Sequence, residues 1–365
     1  MDTQIKYINA LNQIPELGAS RLNKLRTYFG SFESAWQAGS ADFIAAGLNE
    51  EVAMRVIEKR RLIDPEEELR KLAKENVSIV LRGSDDYPKL LTEISNPPAL
   101  LYVRGNTEFA GHEFSLAVVG TRKVSGYGKQ VAPHLVRELA VRGINIVSGL
   151  ALGIDELSHQ ATIDAGGTTV AVLGCGIDGG SIYPSKNRIL AEHIVANGGT
   201  LISELPLGSL PLKMHFPYRN RIIAGMTLGT LVVEADIKSG SLITAQAALE
   251  YNRQVFAVPG SIYSQMSQGT HKLIKEGAKM VTTIDDILEE LNITSTAPIL
   301  QVRKTLPASP KEELVLKYLS GEPVHINTII KETGLTSQEI SATLTMLEIK
   351  GLAKNLGGMI YVIAR

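Results

Sequence analysis

A single cysteine, Cys175, excludes a disulfide within the chain and any cysteine-rich metal site. No apolar run reaches the roughly 18 residues that a membrane-spanning helix needs. The opening residues, MDTQIKYINALNQ, lack the basic stretch and apolar segment of a secretory signal, so a cytoplasmic protein with no membrane partner is expected. Charge of one sign is missing too: 37 Lys and Arg stand against 38 Asp and Glu. That balance speaks against a uniformly basic nucleic-acid binder but leaves room for local clusters of cations. The seven histidines fall at no metal-ligand interval and no Ser/His/Asp order is suggested. Neither a metal site nor a hydrolytic triad is expected, and no cofactor is called for.

What is present is ordinary globular material: 44% hydrophobic and 21% charged residues in 365, enough for two or three domains. Residues 1–72 read as short helices broken by Gly and Pro. Ile14-Pro15-Glu16-Leu17-Gly18 followed by Leu22, Leu25 and Phe29 suggests a helix-hairpin-helix, with Gly18 at the tight turn. A plain helical bundle with Phe29 and Trp36 in its core reads equally from the same pattern. Residues 75–291 alternate apolar runs with amphipathic stretches. The runs are Ser78–Leu81, Ser115–Val119, Ile144–Ser148, Thr168–Leu173, Thr200–Ser203, Thr230–Glu234 and Gln254–Val258. Uninterrupted apolar strands between helices predict an α/β fold, a Rossmann-like doubly wound and mostly parallel sheet covered on both faces. Residues 292–310 lose periodicity and read as a linker. Residues 311–365 predict three helices and a hairpin at Gly357-Gly358, a C-terminal winged-helix domain.

In an open parallel sheet, ligands bind beyond the carboxyl ends of the strands. After Ser115–Val119 comes Gly120-Thr121-Arg122-Lys123, then Gly126 and Gly128 entering a helix. A glycine that admits a ligand, a helix N-terminus and a guanidinium make anion-binding chemistry. The spacing is not that of a P-loop. Ser148-Gly149, with Gly153 opening the next helix, offers a second such turn, where Asp155 can cap. Gly174 and Gly176 belong to a G-x-G-x-x-G match, but Tyr183-Pro184 delay the next helix, which argues against a dinucleotide site. Lys186 and Asn187 stand at that later helix start. The densest cluster, His215–Gly225, holds Phe216, Arg219, Asn220 and Arg221: cations for phosphates and rings for bases. At least one of its arginines is expected to pair with Glu204 or Glu234 and brace the fold. Ser239-Gly240-Ser241 forms a further turn, and Lys272 follows the turn at Pro259-Gly260. Several anion-binding turns along one rim suit a run of phosphates better than a single nucleotide.

Gly120-Thr121-Arg122, Ser148–Asp155, Gly174-Cys175-Gly176, Ser203-Glu204-Leu205-Pro206, Phe216–Gly225, Ser239–Ala245 and Val258-Pro259-Gly260 occur in the order found in the DNA-processing protein A (DprA/Smf) family, which residues 85–285 resemble. The resemblance implies an extended Rossmann fold that binds single-stranded DNA in a basic pocket. It also implies a homodimer formed through that domain, loading of the RecA recombinase during natural transformation, and binding rather than catalysis. Two positions depart from the family: Leu152 replaces a frequent basic residue, and His271 a frequent Asn. Three rival readings remain. Cys175 could be a nucleophile, though no orienting base is evident. Gly225–Thr230 with Glu234 resembles the glycine loop and glutamate of lysine-decarboxylase-like nucleotide phosphoribohydrolases, without their Gly-Gly pair. The winged helix could read duplex DNA, but residues 311–365 carry six Lys/Arg and six acids, and its third helix has only Lys350 as a cation. Little counterion release is then available, which favours an auxiliary or protein-contact role.

Overall fold

A computed structural model of the chain describes residues 3–112, 114–293, 309–349 and 352–363. Most of the expected linker therefore lies outside the described residues, as does Lys350. The chain divides into two compact units, Met1–Leu300 and Gln301–Arg365.

The larger unit opens with six helices: Thr3–Asn12, Ala19–Phe29, Phe32–Gln37, Ser40–Ala45, Glu50–Arg60 and Pro65–Lys74. Their starts follow from side-chain caps; Ser31, Asn49 and Asp64 each accept from a backbone N–H of the first turn. Gly18 is the exception to expectation. Its backbone is extended (φ −69°, ψ 173°), so it caps the helix Ala19–Phe29 without needing glycine's special freedom. Phe29 and Trp36 pack against the core, as a helical bundle requires. That core does not stop at the helices. Ile8, Leu11, Leu25, Phe32 and Phe43 share one buried cluster with Tyr102, Leu173 and Leu201 of the sheet. Tyr102 is fully buried; its hydroxyl donates to Asn9 Oδ1 (2.9 Å) and accepts from Asn12 Nδ2 (3.2 Å). Burying such a ring contributes about 2 kcal/mol, and the two bonds fix the first helix to the strand.

The strands are β1 (Ser78–Leu81), β2 (Leu100–Gly105), β3 (Ser115–Val119), β4 (Asn145–Ser148), β5 (Thr169–Val172), β6 (Thr200–Ser203), β7 (Gly229–Val232), β8 (Gln254–Ala257) and β9 (Lys279–Met280). They form one sheet in the order β1-β2-β6-β5-β4-β3-β7-β8-β9. From β6 to β9 all pairings are parallel, while β2 runs antiparallel to both β1 and β6. Leu116 and Val118 of β3 enter one hydrophobic cluster, and Ala117 and Val119 the other. Burial on both faces is why the strand reads as an unbroken apolar run. Neither Leu100–Gly105, which sits beside Pro97-Pro98, nor the two-residue β9 is among the strands expected from the apolar runs. The chain winds from β3 out to β6, then crosses back to place β7 on the other side of β3. The reversal leaves a crevice at the carboxyl ends of β3, β4 and β7.

The smaller unit has helices Pro310–Lys317, Ile326–Thr333 and Ser337–Ile349 and strands β10 (Val324–His325), β11 (Ala353–Gly357) and β12 (Ile360–Ile363) in the order β10-β12-β11. Val315, Ile329, Ile340, Leu344 and Leu347 make its core. Gly357 and Gly358 both have positive φ (94° and 62°), the conformation a tight hairpin demands. It is a winged helix. Among the described residues, no helix is long and apolar enough to cross a membrane.

Candidate nucleic-acid interface

At the sheet's reversal lies a cleft of about 770 Å³. Its lining includes Gly120, Thr121, Arg122 and Lys123 from the turn after β3, and Ser239, Gly240 and Ser241 from the turn after β7. Phe216, Arg219 and Asn220 come from the first turns of the helix His215–Gly225. These are ten of the residues picked from the sequence, brought together from three separate turns. Two helices, His215–Gly225 and Ser241–Glu250, begin at the cleft, so their positive dipole ends and free N–H groups face it. Arg122, Lys123, Lys213 and Lys238 stand exposed around it, with Arg219 beneath; the carboxylates are Asp155 and Asp236. A chain with a formal net charge of only -1 thus concentrates cations at one place, and low-dielectric walls strengthen their field.

Aromatic groups border the cations. The Arg122 guanidinium lies 5.8 Å from the Phe216 ring centroid, and Tyr183 approaches the same ring at 5.7 Å. Tyr183, Phe216, Arg122, Gly149 and Leu152 line a small niche that adjoins the cleft. Rings and guanidinium planes offer π faces to bases whatever their identity.

Arg219 is placed differently from the phosphate contact expected of it. It is only 5% exposed and donates from Nη1 to the carbonyls of Gly149 (2.8 Å) and Val172, and from Nε to Asn220 Oδ1 (3.2 Å). Burial pulls its pKa down to about 10, against the pull of Asp155, so it stays charged at neutral pH. Asp155 accepts from the N–H groups of Gly149 (3.1 Å) and Ala151 (3.4 Å). Burial raises its pKa while Arg219 and those donors oppose the rise. The pair grips the Gly149 peptide from both ends. A Cβ on Gly149 would come within 2.5 Å of the guanidinium, which is why glycine stands there. Gly120 has a packing reason as well: a Cβ would meet Ile154 at 2.5 Å and the Glu234 carbonyl at 2.9 Å.

Other candidates sit outside the cleft. Arg221, 7% exposed, is ion-paired with Glu204 and stacks under Tyr218 at 4.2 Å, so it braces the helix and is withdrawn as a phosphate ligand. Ser148 Oγ donates to the Val118 carbonyl (2.6 Å) inside the sheet. Asn187 Nδ2 donates to the carbonyls of Leu150 (3.0 Å) and Ala151 (3.3 Å), holding the loop after β4. Gly176 N–H donates to the Ser209 carbonyl (2.9 Å), and Gly174 backs the Phe216 ring. Gly153, with φ 90°, packs against Thr121 and Arg122. Lys186 and Lys272 are exposed but line neither cleft nor niche. Sequence reasoning missed Lys213 and Lys238. A cation one or two residues from an apolar loop tip or glycine turn was the available signal.

The rivals to a binding site fare worse. The helix after the G-x-G-x-x-G match begins only at Arg188, preceded by a 3₁₀ turn at Ser185–Asn187, so no helix dipole points into those glycines. Burial raises the Cys175 thiol, which keeps it protonated and inert. Glu234 is 1% exposed and accepts from Ser125 Oγ (2.5 Å) and Ser125 N–H (3.1 Å), capping a helix. Gly225–Thr230 runs into the opposite, amino-terminal end of β7, remote from that glutamate.

The model of the family described as DNA recombination-mediator protein A matches residues 78–292. The chain belongs to this family. A second model, the winged-helix domain of DprA, matches residues 301–359. Along most of its length the chain is 35% identical to the protein Smf of Synechocystis, covering 97% of this chain and 98% of that one. It is 44% identical to the DNA processing protein DprA of Bacillus subtilis over 61% of this chain and 75% of the relative. The X-ray structure of DprA from Streptococcus pneumoniae superposes with a TM-score of 0.67 at 37% identity, over 80% of this chain and 99% of that one. DprA of Helicobacter pylori, solved for its single-stranded DNA binding mode, superposes at 0.53 with 30% identity over 59% and 95%.

The two positions expected to depart from the family lie in different places. Leu152 lines the niche beside Arg122, which places an apolar side chain at the cleft's margin. His271 Nε2 lies 3.0 Å from the Gly260 carbonyl and closes that turn away from the cleft.

Proposed function

We propose that this chain binds single-stranded DNA in the cleft between β3, β4 and β7, without sequence preference and without catalysis. The observation that carries the reading is the meeting of four exposed cations, two helix N-termini and the Phe216–Tyr183 rings in one groove. Exposed cations hold successive phosphates; each base stacked on a ring contributes about 1–3 kcal/mol. Membership of a recombination-mediator family and the solved relative described as binding single-stranded DNA support it. In this reading, Gly120, Thr121, Arg122, Lys123, Lys213, Lys238, Ser239, Gly240 and Ser241 contact backbone, and Phe216 and Tyr183 contact bases. Arg219 and Asn220 position the floor.

The division of labour follows the units. Residues 75–291 carry the strand, with residues 1–72 built onto the same core. The winged helix at 311–365 has an auxiliary or protein-contact role, because its third helix offers Gln338, Glu339 and Glu348, with Glu339 tied to Lys311 at 2.7 Å. From the family resemblance, the chain works in the cytoplasm as a homodimer that hands the strand to a RecA recombinase. Anisotropy with labelled oligo-dT and the matching duplex, at two salt concentrations, tests the binding. Single strands should bind tighter, with affinity falling linearly in log–log against salt. Equal affinity for duplex, or no salt dependence, refutes it. Release of base from nucleoside monophosphates would instead support the phosphoribohydrolase reading.

A further inference from the structure

Outside the cleft, a second groove of about 690 Å³ opens where the helix Ala19–Phe29 meets the turns around β1 and the Asn96-Pro97 segment. The groove is polar and cationic. Lys24 and Arg82 line it together with Asn23, Asn96 and the 53% exposed ring of Tyr28, over Ile94 and Pro97. No carboxylate is among its lining residues. Among the described residues, neither the Lys24 ammonium nor the Arg82 guanidinium has an ion-pair partner. By contrast, Lys6 and Lys59 on the N-terminal helices are paired with Glu66 and Glu16. Two unneutralised cations beside an open ring have the same chemistry as the first cleft, on a smaller scale; the amides of Asn23 and Asn96 are spent on the Pro97 carbonyl (2.9 Å) and the Tyr218 hydroxyl (2.8 Å).

A hydrogen bond joins the walls of the two grooves. Asn96 Nδ2, in the wall of the second, donates to Tyr218 Oη (2.8 Å). Tyr218 lies in the same helical turn as Phe216, Pro217 and Arg219, which line the first. Pro217 and Tyr218 are exposed, so the helix presents solvent-facing surface between the two grooves. We infer that the groove between the N-terminal helices and the sheet is a second single-stranded DNA subsite, which takes the nucleotides leaving the main cleft over Tyr218. Lys24 and Arg82 hold phosphates, and Tyr28 stacks a base. This rests on the strand-binding reading of the main cleft. It gives the N-terminal helices a direct part in the footprint, through side chains at a domain junction and not through a hairpin's backbone amides.

The experiment uses the full chain and two oligo-dT probes, one of roughly 6 nucleotides and one of roughly 25, which bracket the span of a single groove. Salt-dependent anisotropy is measured for wild type, Lys24→Gln, the Lys24→Gln/Arg82→Gln double variant and Arg122→Ala. The double variant should lose about tenfold in affinity for the long probe and about 1.4 in salt slope, near 0.7 for each phosphate contact. Its affinity for the short probe should be unchanged. Lys24→Gln, at an exposed side chain with no partner, should show half that change in slope with an unaltered melting temperature. Tyr28→Ala should weaken the long probe with no change in slope. If the double variant binds the long probe with wild-type affinity and slope while Arg122→Ala weakens both probes, the second subsite is refuted and the main cleft stands. If Arg122→Ala leaves both probes unaffected, the main-cleft reading fails first and the inference with it. Loss of the short probe in the double variant also overturns the proposal, because the grooves would then not act separately.

Discussion

Arg219→Ala offers the sharpest test of how the cleft is built. Arg219 looks like a DNA ligand in the sequence, but in the structure it is a buried strut. Its guanidinium donates to two main-chain carbonyls, one on the turn after β4 and one on β5, and it opposes the buried Asp155 charge across the Gly149 peptide. Truncation leaves two carbonyls without their donor and a buried carboxylate without its counter-charge. Each unsatisfied polar group costs about 1–3 kcal/mol, and stripping a buried charge of its compensation about 3–5 kcal/mol. These losses overlap, so a net destabilisation of roughly 4 kcal/mol is expected in urea unfolding. The pH dependence has a definite sign. Burial already raises Asp155 above its ordinary range, and removing Arg219 raises it further. A carboxyl with a folded pKa above its unfolded value binds the proton more in the folded state. Stability from that group is present at low pH and lost as pH rises through the folded pKa. The deficit of Arg219→Ala against wild type should therefore be smaller at pH 5 than at pH 8, and Asp155→Asn should recover part of it. An unfolding midpoint equal to wild type, with only a reduced salt slope for oligo-dT, would show Arg219 to be a ligand contact and refute the strut.

Arg122→Ala, at an exposed side chain, should keep wild-type stability, weaken oligo-dT binding and lower the salt slope by about 0.7; anisotropy across a salt series checks it. Arg221→Ala strands the buried Glu204 carboxylate and should cost about 3–5 kcal/mol in urea unfolding, with no change in salt slope for the folded fraction. Ser125→Ala removes both the cap on Gly128 N–H and the hydroxyl donor to buried Glu234 Oε1, leaving only the backbone N–H of residue 125 on that carboxylate, so a loss of about 1–3 kcal/mol in thermal unfolding is expected. Deleting residues 300–365, which form a separate compact unit, should leave single-strand affinity within a few-fold of wild type; a collapse would overturn the auxiliary role assigned to the winged helix.

Much of this molecule was legible from residue order, because the relevant physics is local. Uninterrupted runs such as Ser115–Val119 report a strand buried on both faces, and their alternation with helices specifies a parallel doubly wound sheet. Gly357-Gly358 marks the hairpin of the wing through backbone sterics. The turns at Gly120–Lys123 and Ser239–Ser241 declare themselves by glycine and hydroxyl residues at strand ends. β2 escaped notice because its pairing, antiparallel inside a parallel sheet, is a property of its neighbours.

What the sequence could not decide is which cation meets solvent. Arg219 and Arg221 lie two residues apart in a cluster with Phe216 and Asn220, and by type the two arginines and the amide suit a phosphate site equally. Only packing puts Arg219 against the carbonyls of Gly149 and Val172, and Arg221 against Glu204, while leaving Arg122, Lys213 and Lys238 exposed. Burial depends on what other elements cover a side chain, and those elements come from sequence positions up to 70 residues away. The same holds for Lys24 and Arg82, which share a groove only because the N-terminal helices join the core of the sheet. Residue type and local spacing determined the fold and the chemistry on offer; the tertiary contacts decided which charges were spent as struts and which were left for a ligand.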